Sequence, residues 1–106
     1  MAKALIRVPP EAKRGEVVEI KALISHPMET GQRRDPMGQP IPRDIINRFV
    51  CTYNGQEVFR ADLFPAIAAN PFFAFFTVAT ESGELVFRWT DDHGSSQTET
   101  ARITVV

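Results

Sequence analysis

The stretch IINRFVCTYNGQEVFRAD, residues 45 to 62, decides the fold. From Ile45 to Tyr53, Phe49, Cys51 and Tyr53 share one parity and Arg48 and Thr52 the other. Asn54-Gly55 then separates this run from Gln56 to Asp62, which carries Phe59 and Ala61. An Asn-Gly pair between two alternating runs is the strongest short-range signal for a β-hairpin, because both residues tolerate the positive φ of a type I′ turn. Outward from this hairpin the same period of two recurs in Lys3 to Val8, Glu16 to Ser25, Phe72 to Thr80, Glu84 to Thr90 and Gln97 to Val105. No long segment sustains the 3.6-residue period of a helix. Seven short strands separated by turn chemistry predict an all-β, seven-stranded immunoglobulin-like β-sandwich, with Pro9-Pro10 closing the first strand. Ala66 to Ala69 stays open between a strand and a helical turn.

The whole chain, residues 1–106, is the usual size for one domain with one core. Hydrophobic residues at 43% and charged residues at 24% exclude a disordered chain. A net charge of -1, with both signs spread along the sequence, leaves no electrostatic footprint for nucleic acid or an anionic membrane. Cys51 is the single cysteine, so no internal disulfide and no cysteine zinc site is available. Residues 1 to 15 are broken by Lys3, Arg7, Pro9 and Pro10, a pattern of neither a secretory signal nor a membrane helix. Taken alone, that points to the cytoplasm.

Two segments break the local rules, and such breaks are where function is usually sited. The first is His26 to Asp44, a connection between strands two and three that is too long to stay unstructured in a small domain. Its centre, Asp35-Pro36-Met37-Gly38, has the residues of a type I turn, which predicts an extended hairpin. Met28, Glu29, Thr30, Gln32, Arg33 and Arg34 line one arm, and Gln39 to Arg43 the other. The second is Asn70 to Val78, where Phe73 and Phe75 take one parity and Phe72, Phe76 and Val78 the other. A two-layer sandwich covers one face of each strand, and each exposed phenylalanine forgoes roughly 1.5–3 kcal/mol of burial. A further covering surface is implied, either a partner or the chain's own ribbon folded back.

No set of residues carries an enzyme reading. Cys51 has the parity of core residues and behaves there as a small hydrophobe. His26 precedes Pro27 at the mouth of the long loop, and Asp91-Asp92-His93-Gly94 is ordinary turn composition. Nucleophile-elbow, zinc-protease and phosphate-cradle patterns are absent, so no catalytic, cofactor or metal residue is assigned.

Several stretches together resemble one family. They are His26-Pro-Met-Glu-Thr-Gly-Gln-Arg33, Ile41-Pro-Arg43, Cys51-x-Tyr53-x-Gly55 with Val58-Phe59, Ala69-Asn-Pro-Phe72, Ser82-Gly83 with Trp89, and Asp91-Asp-x-Gly94. Over nearly its whole length the chain resembles the SoxZ family of the thiosulfate-oxidising Sox system. The resemblance implies a non-catalytic subunit of a heterodimer with SoxY, whose C-terminal cysteine arm carries the sulfur intermediates and is presented to other Sox enzymes. This chain has no such arm, so Cys51 is not read as the sulfur carrier. The resemblance also implies a periplasmic location, with export alongside SoxY and no signal peptide of its own, against the reading from residues 1 to 15.

The expected partner interface is Phe72, Phe73, Phe75 and Phe76, because large aromatics dominate interface energetics. For transient enzyme docking the candidates are Met28, Glu29, Arg33, Arg34 and Asp35. A generic immunoglobulin-like module that binds other proteins or self-associates, with a homodimer in isolation, is the alternative. On these grounds Phe75→Asp abolishes the heterodimer and leaves the isolated domain folded, whereas unfolding of the variant places that strand face in the core.

Overall fold

The Asn54-Gly55 hairpin forms as its sequence demands. In the computed structural model, which describes residues 3–65 and 69–106, Asn54 and Gly55 both take positive φ, 49° and 82°. They join the strands Ile46–Tyr53 and Gln56–Asp62 in antiparallel register, with Phe49 opposite Ala61 and Cys51 opposite Phe59. The Asn54 carboxamide also accepts the Glu84 N–H at 3.0 Å, which ties this turn to the next strand. Gly83 has to be glycine there, because a Cβ would lie 1.7 Å from Asn54 Oδ1.

Eight strands make two sheets: β1 (Lys3–Arg7), β2 (Glu11–Ala12), β3 (Val17–Ser25), β4 (Ile46–Tyr53), β5 (Gln56–Asp62), β6 (Phe72–Val78), β7 (Gly83–Asp91) and β8 (Ser96–Val105). One sheet has the order β1-β3-β6 and the other β2-β8-β7-β4-β5. No helix occurs among the described residues. The all-β sandwich is therefore as expected, and its seven longer strands match the alternating runs. Glu11–Ala12 is an addition: the double proline steers the chain out of one sheet, and these two residues pair in parallel with Thr104 and Val105 in the other. Of the segment left open between strand and helical turn, residues 66–68 lie outside the described residues.

The core lies between the layers, where both sheets alternate inward and outward. Ile20, Ala22 and Ile24 of β3 face Phe49 and Cys51 of β4 and Leu85, Phe87 and Trp89 of β7, all fully buried. A chain of rings crosses the interior. Phe49 stacks on Phe73 with centroids 4.8 Å apart, Phe59 stacks on Phe75 at 4.4 Å, and Trp89 lies 5.2 Å from Phe49. Such pairs add about 0.5–1.5 kcal/mol each beyond the area they bury. At the opposite end the Tyr53 hydroxyl donates to the Glu81 carbonyl and so fixes the β6–β7 turn.

Phe49→Ala removes the ring shared by most of these contacts. It is expected to lower unfolding stability by about 3–5 kcal/mol in urea titration, whereas Phe76→Ala, on the outer face, shifts it by no more than about 0.5 kcal/mol.

Candidate partner-binding surfaces

The outer face of the three-stranded sheet is built by register. Residues directly opposite each other on neighbouring strands share a face. Leu5 pairs with Leu23 and Leu23 with Phe72, so these three form one row across β1, β3 and β6. Arg7, Lys21 and Ala74 form the next row, Glu19 and Phe76 the one after, and Val17 and Val78 the last. Phe76 is 64% exposed and Phe72 56%, with Leu5, Val17 and Val78 also exposed. Arg7 and Lys21 thus lie between the Leu5-Leu23-Phe72 row and the row of Phe76, Lys3 stands exposed beyond Leu5, and Lys21 reaches Glu19 at 3.6 Å.

The double-faced reading of Phe72–Val78 thus holds, but the four phenylalanines divide. Phe72 and Phe76 stand outward. Phe73 and Phe75 point between the sheets against Phe49 and Phe59, and Phe75 is only 6% exposed. The expectation that all four meet a partner is corrected for these two, and Phe75→Asp puts a charge into the core and unfolds the domain. Leu5, Leu23 and Val17 were missed. Their rows depend on the register of β1 and β6 against β3, which no local pattern states.

The segment between β3 and β4 is the expected ribbon. Glu29 and Asp44 exchange both backbone hydrogen bonds at 2.8 Å, and Ile41 N–H reaches the Arg33 carbonyl at 2.9 Å. At the tip Gly38 N–H donates to the Asp35 carbonyl at 2.9 Å, and Asp35 Oδ1 accepts the N–H groups of Met37 and Gln39, both at 2.9 Å. The molecule is consequently long, 59 × 20 × 19 Å, with a radius of gyration of 16.2 Å against about 13 Å for a compact chain of this length.

Of the five docking candidates there, Arg33 and Arg34 are exposed. Arg33 is held in a bidentate pair by Glu29 at 2.6–3.2 Å, and Arg34 donates to the Gly38 carbonyl at 2.8 Å. Asp35 is half-buried and shapes the turn. Met28 is corrected from the ribbon surface to the core, 4% exposed, where its sulfur accepts the Ile46 N–H. Met37, 84% exposed at the tip, was not among the candidates.

The root of the ribbon gathers the polar groups. Asp92 binds the Arg43 guanidinium through two bonds at 2.8 and 2.9 Å and also accepts from the Ile45 N–H and the Asn47 amide. These partners, the guanidinium first, hold its carboxyl far below the usual carboxylate range. His26 and His93 flank Asp44 Oδ1 at 3.8 and 3.4 Å. His26 Nδ1 accepts the Met28 N–H at 3.1 Å, which leaves Nε2 as the protonated nitrogen of the neutral ring, facing Asp44. While that bond holds, Nε2 has no lone pair for a cation. Among the described residues no group of three metal-ligating side chains is arranged to hold an ion. Cys51 is fully buried, and burial pushes its thiol up to about 12, far from a nucleophile's range.

The family described as "Sulphur oxidation protein SoxZ" matches residues 6–102. No curated protein matches the chain. Among solved structures, the sulfur carrier protein SoxY of Chlorobium limicola f thiosulfatophilum superposes with a TM-score of 0.71 at 14% identity, covering 97% of this chain and 79% of that one. The superoxide reductase (neelaredoxin) of Ignicoccus hospitalis gives 0.74 at 16% identity, with 97% and 80% covered. At these identities both likenesses concern the sandwich fold alone.

Two measurements check the site. Iodoacetamide is expected to label Cys51 only after denaturation, because both access and thiolate are suppressed. Asp92 binds protons less readily folded than unfolded, so its contribution is present above its ordinary value of 3.8 and is lost as pH falls through that value toward the depressed folded one. Asp92→Asn should therefore lower the melting temperature at pH 7 and show a shallower loss of stability below about pH 4 than the parent chain.

Proposed function

Because this chain belongs to the SoxZ family, we propose that it is the non-catalytic subunit of the sulfur carrier of the Sox system, and that it binds a SoxY-type subunit which bears the sulfur. The observation that carries the reading is the outward face of the β1-β3-β6 sheet, where Phe72, Ala74, Phe76 and Val78 stand exposed in a line along β6, with Leu5 in the row of Phe72 and Val17 in that of Val78. Contiguous apolar patches of this kind mark protein interfaces. Large aromatics such as Phe72 and Phe76 anchor such surfaces, and the exposed cations Lys3 and Arg7 on β1, beside that stripe, favour acidic groups on the partner.

In this reading the chain acts as a scaffold. The sandwich holds the partner, and the ribbon, with exposed Arg33, Arg34 and Met37, makes transient contacts with the Sox enzymes that load and release sulfur. The site of action is the periplasm, beside the partner. No side chain of this protein touches sulfur, in keeping with the buried Cys51.

Calorimetric titration with a SoxY-type subunit from the same source tests the proposal. A one-to-one complex that co-elutes in size-exclusion chromatography is expected, and Phe76→Ser, which leaves the core intact, should weaken it at least about tenfold, as loss of a central aromatic anchor does. Absence of any complex, with sedimentation of the lone chain as a dimer, would instead favour a self-associating module.

A further inference from the structure

We propose that β6 takes up the partner by strand addition, so that the three-stranded sheet continues into a strand of the SoxY-type subunit; the inference rests on the partner assigned above. Among the described residues the sheet orders leave four edges, β1, β6, β2 and β5. Edge strands are normally protected by charge, proline or shortness. β1 carries Lys3 and Arg7 and runs into Pro9-Pro10, β5 carries Glu57, Arg60 and Asp62, and β2 has two residues. β6 has none of these devices: residues 71 to 80, PFFAFFTVAT, contain no charge, and Pro71 precedes the strand.

The hydrogen-bonding parity of β6 follows from its two ends. Ile24 N–H donates to the Pro71 carbonyl, and Ala79 N–H donates to the Glu16 carbonyl. With Leu23 opposite Phe72 and Val17 opposite Val78, the pairs that bond across to β3 are those of Phe73, Phe75 and Thr77. The N–H and C=O groups of Phe72, Ala74, Phe76 and Val78 therefore point to the free edge, and no described residue pairs with them. These are also the residues whose side chains stand on the outer face. Backbone groups and aromatic side chains thus present themselves together over about 20 Å, the length of one ordinary strand.

An extended segment is the occupant this edge fits, because only a strand satisfies a row of alternating donors and acceptors. The SoxY structure superposes on 97% of this chain, so a subunit of that fold carries an equivalent sheet with an edge of its own. Pairing of the two edges would make one continuous sheet of the heterodimer, with Phe72 and Phe76 flanked on the same face by the side chains of the added strand.

Hydrogen exchange on the full chain, alone and with the SoxY-type subunit, tests this. Amides of Phe72, Ala74, Phe76 and Val78 should slow at least about tenfold in the complex, while those of Phe73, Phe75 and Thr77, already bonded to β3, change little. Ala74→Pro removes an N–H that β3 does not use, at an edge position where proline is tolerated. It should fold and bind at least about tenfold more weakly, whereas Ala74→Ser, which keeps the N–H, binds as the parent does. A complex with no alternation in exchange and full binding by Ala74→Pro would overturn strand addition and leave the partner assignment standing. No complex at all would overturn both. The alternating protection in the lone chain, with sedimentation as a dimer, would give the edge to a second copy instead.

Discussion

The stack of Phe49, Phe59, Phe73 and Phe75 joins the two layers where each sheet would otherwise end. β5 and β6 are edges of different sheets, and neither has a hydrogen-bonded neighbour on its far side among the described residues. What holds them face to face is ring contact, Phe49 on Phe73 and Phe59 on Phe75, with interplanar angles of 7° in both pairs. The strand that presents Phe72 and Phe76 outward is thus pinned through Phe73 and Phe75, so one strand serves both the core and the surface. That division follows from the two-residue period: side chains of successive residues cannot share a face.

Much of the fold was legible because period-two alternation and turn residues are local signals. Asn54-Gly55, Asp35-Pro36-Met37-Gly38 and the alternation of β3 each state their own conformation. What was not legible depended on partners distant in sequence. The parity of Phe73 and Phe75 was plain, yet whether that parity or the other faced the core required knowing that Phe49 and Phe59 lie opposite. Met28 shows the same limit. It sits in a polar loop sequence and looks like ribbon, but its positive φ of 54° turns the side chain back under Ile46. Glu11–Ala12 was invisible because two residues have no period to read.

The candidate surfaces were legible to a similar degree. The aromatic excess of residues 70–78 announced an uncovered face, while the rows that complete it, Leu5, Leu23 and Val17, come from register. In the ribbon the charges suggested docking, but several are occupied internally: Glu29 holds Arg33, Asp35 holds the turn and Asp92 holds Arg43. The mixed charge of this segment is in large part its own scaffolding.

That internal bracing also limits the shapes open to the ribbon. Four of the chain's eight prolines, Pro27, Pro36, Pro40 and Pro42, fall within His26 to Asp44. Each fixes φ and narrows the range of shapes the segment can sample before contact. A loop of this length ordinarily gives up conformational entropy when it docks, and that loss weakens association. Here the loss has already been incurred during folding. A segment held in one shape in this way is suited to brief contacts, in which a fast encounter matters more than a long residence.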